Sequence, residues 1–254
     1  MLVMCVATAG LFTCASAATL SVYQATLEER DQKTPEVTTE QLQLVMGKKS
    51  GLILDARPEE QYAIAHIPGS INLAEKGLIR FAQAYPDRAA NIIVYSNGPF
   101  CNWARRQAEE LLNLGYTKVS RYQLGLSVWR ALGHAAETSL RGFRHIFTNE
   151  NSAVIVDARN RAEYAVATVP GAQSILAGEA SNAQTDRRLR YYDYNARIIV
   201  FSNSAESART VAREIARSAY SNSSYFAGSY EDLKRAKFFV PRKPALSYLD
   251  GMTR

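Results

Sequence analysis

Short, unbroken runs of strand-type residues punctuate this chain, with stretches of helical spacing between them. The runs are 51–55 (GLILD), 92–95 (IIVY), 119–122 (VSRY), 154–157 (VIVD) and 198–201 (IIVF). Most lack the apolar–polar alternation of a one-sided strand, so they predict strands covered on both faces, as inside a parallel sheet. Thr38 or Thr39 caps a short helix over QLQLVM. A helical turn is expected over 59–65 after Pro58, broken by His66-Ile67-Pro68-Gly69. Further helices are expected over 78–85, over 104–114 with Gly115 as its stop, and over 127–132. Strands alternating with helices predict an α/β fold: in each half a mainly parallel sheet flanked by helices on both faces.

The pattern occurs twice. LDARPEEQYAIAHIPGS aligns with VDARNRAEYAVATVPGA without a gap. IIVYSNG pairs with IIVFSNS, ARRQAEEL with ARTVAREI, and YQLG with YFAG. A repeat of roughly a hundred residues is a duplicated domain, not a solenoid unit. The expected layout is a first domain over 36–134, a linker over 135–148, a second domain over 149–238 and a tail over 239–254 that packs back across the two halves.

The ends of the chain and its charge narrow the setting. Residues 1–18, MLVMCVATAGLFTCASAA, carry no charge and include Ala15-Ser16-Ala17. They are too short and too rich in small residues for a membrane span, and they read as a signal peptide over 1–17, cut after Ala17. A polar tether over 18–35 follows. The expected location is periplasmic or secreted, with no membrane span in the mature chain. Net charge is +6, but the basic residues are scattered, so nucleic acid is not an expected partner. Of three cysteines, Cys5 and Cys14 leave with the signal peptide and Cys101 remains. One thiol makes neither an internal disulfide nor a cysteine-based metal cluster, and no metal or cofactor is expected.

Chemistry concentrates where each central strand opens into a loop and a helix. The first amide groups of a helix lack partners within it, so such a turn is a ready anion cradle. Ser96, Asn97, Gly98, Asn102 and Trp103 form the first candidate loop; Ser202, Asn203 and Ser204 form the second. Asp55 with Arg57, and Asp157 with Arg159, are expected as local ion pairs pinning a strand end to the following turn. His66 is expected to be a structural hydrogen-bonder, since Thr168 replaces it in the second half. His134 and His145 have no ligand spacing, and residues 191–194 (YYDY) could face a partner.

Asp55-x-Arg57-x4-Tyr62, followed by His-Ile-Pro-Gly-Ser-Ile-Asn at 66–72 and a Tyr-x-Asn-Gly-Pro-x-Cys loop, resembles the rhodanese domain family. The second half repeats the signature at Asp157, Arg159, Glu163, Tyr164, Pro170 and Gly171. The resemblance implies a tandem rhodanese-like protein. Family members use a loop cysteine that takes sulfane sulfur from thiosulfate or a similar donor, holds it as a persulfide and passes it on. This chemistry needs a soft thiolate of lowered pKa. Ser96 and Ser202 stand at those positions here. A serine hydroxyl forms no persulfide, and only Glu206 and Asp193 offer a base nearby in sequence. The leading expectation is therefore a module without the usual transfer activity that binds an anion (a small sulfur-containing one above all), a sulfur-carrying protein or another protein partner. The alternative is a sulfurtransferase or persulfide carrier using Cys101, near a helix start and ahead of Arg105 and Arg106. A dual-specificity phosphatase, whose fold the family's resembles, ranks last, because its loop cysteine and phosphate-gripping arginine have no matching residues. Oligomeric state stays open.

Overall fold

The computed structural model describes residues 29, 31–190 and 193–242. The expected signal peptide, most of the tether, Tyr191, Tyr192 and the end of the tail lie outside the described residues. The first half contains α1 (Thr39–Lys48), β1 (Leu52–Asp55), α2 (Glu59–Ile64), β2 (Ile71–Asn72), α3 (Leu73–Lys76) and α4 (Leu78–Ala84). β3 (Asn91–Tyr95), α5 (Trp103–Asn113), β4 (Lys118–Tyr122) and α6 (Gly125–Ala131) complete it. The second half runs β5 (Ala136–Thr138), α7 (Leu140–Asn149), β6 (Val154–Asp157), α8 (Arg161–Val166) and β7 (Gln173–Ser174). α9 (Ala180–Thr185), β8 (Ile198–Phe201), α10 (Ala205–Arg217), β9 (Ser223–Phe226) and α11 (Tyr230–Arg235) follow.

Two parallel sheets result, in the orders β2-β1-β3-β4 and β5-β9-β8-β6-β7. Strand side chains alternate between faces, and each face has its own helical cover. Ile53, Ile93 and Tyr95 pack with Leu42, Leu126 and Trp129 on one side of the first sheet. Leu54, Ile92 and Val94 pack with Phe81, Ala104, Ala108 and Leu111 on the other. In the second sheet Val156, Ile198 and Val200 face Ala208, Val211 and Ile215 of α10, while Ile155, Ile199 and Phe201 face Phe143 and Ile146 of α7. This two-sided burial is why the strand runs are continuously apolar. Parallel order also brings the ends of β1, β3, β6 and β8 to the edge where the loops emerge.

Three stretches differ from the sequence expectation. Residues 135–148, expected as a linker, carry β5 and nearly all of α7, and they form the seam between the halves. Ser139 caps α7, accepting a hydrogen bond from the Gly142 amide. The backbones of His66 and Glu137 exchange hydrogen bonds of 2.9 and 2.8 Å, and the Thr138 hydroxyl donates to the Ile64 carbonyl at 2.8 Å. Gly142 lets α7 meet α2: a Cβ there would lie 1.9 Å from the Ala63 carbonyl oxygen. The end of the expected tether is docked as well. Arg121, fully buried in β4, donates to Glu29 at 2.9 Å, and its amide bonds to the Pro35 carbonyl. The described part of the tail packs on the second half, with Phe238 and Phe239 against Phe147 and the Arg242 backbone paired with Thr168. Among the described residues, no helix is long and apolar enough to cross a membrane.

Candidate functional site

Each half builds its site from the end of its first strand outward. The carboxylate of Asp55, fully buried, accepts from the Arg57 amide at 2.9 Å and from Arg57 Nε and Nη2 at 3.0 and 2.6 Å. Arg57 Nη2 also donates to the Ala65 carbonyl at 2.7 Å, tying the strand end to the far end of α2. Asp157 and Arg159 repeat the pattern, with Arg159 Nη2 donating to the Ala167 carbonyl at 2.6 Å. These bidentate, charge-assisted pairs set buried charge against buried charge. The Tyr95 hydroxyl, donating to Asp55 at 2.6 Å, in turn accepts from the Ile67 amide. Burial, then the Asp55 charge, holds the Tyr95 phenol well above its ordinary pKa.

Beside this hook, Ser96 leaves β3 with 2% of its surface exposed, and Ser202 leaves β8 with 3%. Among the described residues, neither hydroxyl has a hydrogen-bond partner, so neither serine is activated by a neighbouring base. The first loop is held by its carbonyls. The amides of Leu126 and Ser127, at the start of α6, donate to Ser96 and Asn97 at 3.0 and 2.9 Å. Gln123 Nε2 donates to Pro99 and Cys101 at 2.9 and 3.1 Å. Gly125 is required here: its φ is +64°, and a Cβ would lie 2.6 Å from both the Gly98 nitrogen and the Ser96 oxygen. With the carbonyls engaged from behind, the amides of Asn97, Gly98 and Phe100 have no protein acceptor among the described residues. A loop that commits its acceptors inward and leaves donors free is suited to an anion.

Cys101 closes this loop, half-buried and outside any disulfide among the described residues, with its amide bonded to the Gly98 carbonyl at 3.0 Å. Asn102 is the N-cap of α5 but makes no side-chain capping bond, and Trp103 begins the helix half-buried. In the second half the corresponding loop is short. Ser204 is already the N-cap of α10, accepting from the Ser207 amide at 3.2 Å, and Asn203 donates to Glu163 at 2.7 Å. Glu206 lies in the first turn of α10, and Asp193 is solvent-exposed.

His66 is buried. Its Nδ1 lies 2.8 Å from the Tyr62 carbonyl, its ring stacks on Tyr62, and Nε2 sits 3.4 Å from Glu137. Glu137 also accepts from the Tyr225 hydroxyl at 2.9 Å. Burial alone would raise the Glu137 carboxyl pKa, but His66, the Tyr225 hydroxyl and the Gly69 amide together hold it below its ordinary value. Tyr95, Gln123, Arg130 and Glu137 went unrecognised in the sequence. Gln123 alone had a local cue, its place between β4 and the turn glycine. Among the described residues Arg130 Nε and Nη2 are buried without a hydrogen-bond partner, and burial with the nearby Arg197 and Arg57 pushes its pKa down to about 10. Among the described residues, no cluster of His, Cys, Asp and Glu could hold a metal ion.

The Rhodanese-like domain model matches residues 38–132 and again 144–236. Adenylyltransferase and sulfurtransferase UBA4 of Candida albicans is 29% identical over 111 residues, 42% of this chain and 25% of that protein. HTH-type transcriptional regulator Rv0324 of Mycobacterium tuberculosis is 31% identical over 103 residues, 39% of this chain and 44% of that protein. The chain thus spans less than half the length of these curated relatives. Among solved structures, a thiosulfate sulfurtransferase from Pseudomonas aeruginosa is 21% identical with a TM-score of 0.38, over 84% of this chain and 45% of that one.

Proposed function

The chain belongs to the Rhodanese-like domain family and carries the domain twice, and from that premise we propose that it binds a small sulfur-containing anion, free or on a sulfur-carrying partner, without turning over thiosulfate. The observation that carries this reading is Ser96: it is nearly sealed at the root of a donor-lined loop, its hydroxyl unpartnered. Anion binding needs only the loop donors. Sulfur transfer needs a nucleophile that can become a sulfur-bound thiolate, and an alcohol with no base beside it stays protonated at neutral pH. The loop would hold the anion and orient its outer sulfur or oxygen atoms, and no covalent step follows. Export forms part of the proposal, supported by the uncharged leader ending in Ala15-Ser16-Ala17.

The test supplies thiosulfate and cyanide and measures thiocyanate. The expected outcome is turnover at background. Ser96→Cys should then introduce it: the new thiolate attacks the sulfane sulfur, an S–S bond forms, the S–SO3 bond breaks to release sulfite, and cyanide removes the sulfur. Failure of Ser96→Cys to raise thiocyanate would refute the cradle. Cys101 supports a second reading, as the one thiol among the described residues, half-buried at the end of the same loop. Turnover by the unaltered protein that is lost in Cys101→Ala would establish that reading in place of the first.

A further inference from the structure

The two loops are not equivalent, although the sequences that lead into them are. Six residues, 97–102, separate Ser96 from α5, whereas Asn203 and Ser204 alone separate Ser202 from α10. α5 begins at an N-cap without a side-chain bond and has no acid in its first turn. α10 begins at a fully used cap: Ser204 Oγ accepts from the Ser207 amide and lies 2.9 Å from the Ser207 hydroxyl. Its first turn carries Glu206, which is 3.7 Å from Arg209. Glu163 of α8 adds a second negative charge. One of its oxygens accepts from Asn203, the neighbour of Ser202, at 2.7 Å, and the other accepts from Asn160. Gln61 occupies the aligned position in the first half, so no carboxylate reaches the first loop from there.

We propose that Glu163 latches the second loop shut against anions, leaving the first half as the chain's anion site. The Glu163–Asn203 bond ties down the residue beside Ser202 and brings a carboxylate to the mouth of the second loop. Like charges in partly solvated surroundings repel by enough to abolish weak anion binding. Glu163 is thus a specificity-determining residue that separates two copies of one fold. This inference rests on reading the first loop as an anion cradle.

Single thiols serve as reporters of each loop's electrostatics. In a background with Cys5, Cys14 and Cys101 all changed to serine, Ser96→Cys and Ser202→Cys are made separately, and thiolate fraction is followed against pH by ultraviolet absorbance and iodoacetamide reactivity. The thiol at 96 should ionise more readily than a free cysteine, and the thiol at 202 no more readily than one. Adding Glu163→Gln, which retains an acceptor oxygen for Asn203, should raise the thiolate fraction at position 202 about five- to tenfold at neutral pH. The reciprocal Gln61→Glu should lower it at position 96. Equal ionisation at 96 and 202 without the Glu163 change, or no response of position 202 to Glu163→Gln, would overturn the latch. An ordinary thiol at position 96 would instead overturn the cradle itself, so the two failures are distinguishable.

Discussion

In the first half the Asp55 carboxylate takes a hydroxyl hydrogen bond from Tyr95, at the end of the central strand. In the second half Phe201 stands at that place, and Thr168 donates to Asp157 Oδ2 at 2.6 Å, the equivalent of the oxygen that Tyr95 engages on Asp55. Thr168 aligns with His66, whose ring nitrogens face the Tyr62 carbonyl and Glu137, so the hydroxyl that donates to the buried acid comes from the strand in the first half and from the turn in the second. The physical requirement is a fully satisfied buried carboxylate, not a particular donor. The arginine differs too. Arg159 lies 3.6 Å from the Tyr230 ring centroid, while Arg57 lies 5.9 Å from that of Tyr95. Each half thus meets the same demand with a different set of neighbours.

The strongest way to break this equivalence is to remove the acid. Asp55→Ala leaves Arg57 buried and uncompensated and should cost about 3–5 kcal/mol. Asp157→Ala should cost about 1 kcal/mol less, because Arg159 keeps its aromatic partner. Hydrogen exchange resolved to β1 and to β6 measures each half separately, which a single unfolding midpoint does not. Equal losses in the two halves would show that the Tyr230 contact carries no stabilising energy.

A smaller effect sharpens the exchange of hydroxyls. Thr168→Val deletes the donor to Asp157 while keeping its shape, and should destabilise the second half by about 1–3 kcal/mol. Phe201→Tyr in the same chain should recover part of that loss, because the added hydroxyl comes from the strand position that Tyr95 uses in the first half. The check is the exchange protection of β6 in the single and double variants. A double variant no better than Thr168→Val alone would mean that the two hydroxyl positions are not interchangeable.

The strands and the duplication were legible because the signal is local: a run of four buried residues cannot hide, and LDARPEEQYAIAHIPGS aligns with its copy without a gap. The Asp55–Arg57 spacing was equally readable, since both ends of the contact lie within one turn. What stayed hidden depends on distant pairing. Tyr95 reaches Asp55 across 40 residues, and Glu137 reaches Tyr225 across 88. β5 is three residues long and has no apolar run, so nothing in its own sequence separates it from a linker; its partner β9 makes it a strand. α7 was the avoidable omission. Ser139 followed by Phe143 and Ile146 is a cap with a helical stripe, and both apolar residues are buried. The inequality of the loops was also half visible, as two residues fewer between Ser202 and Ala208 than between Ser96 and Ala104.

The seam between the halves should respond to acid, with the smallest of these effects. Glu137 belongs to β5 but bonds across to His66 of the first half, and its pKa is held below the ordinary 4.5. A carboxylate with a folded pKa lower than its unfolded one binds more protons when unfolded, so stability rises with pH through that range. Its contribution is complete above about pH 4.5 and is lost as pH falls through the lowered value. Because Glu137 is 22% exposed, solvent screening limits the contribution to about 1 kcal/mol. Glu137→Gln keeps a hydrogen-bond acceptor for Tyr225 yet cannot titrate. Protection of the His66 and Glu137 amides, measured between pH 3 and 6 by hydrogen exchange (corrected for the intrinsic rate), should therefore fall with acid in the unaltered protein and lose that slope in the variant. The corresponding pair in the second half, Thr168 with Arg242, has no counterpart of Glu137, its nearest acid being the Arg159-paired Asp157 that Thr168 donates to, and it provides the internal control: its protection should not share the slope that Glu137→Gln removes. If both pairs lose protection together in acid, with or without Glu137, the seam owes its acid response to the fold as a whole and not to this carboxylate.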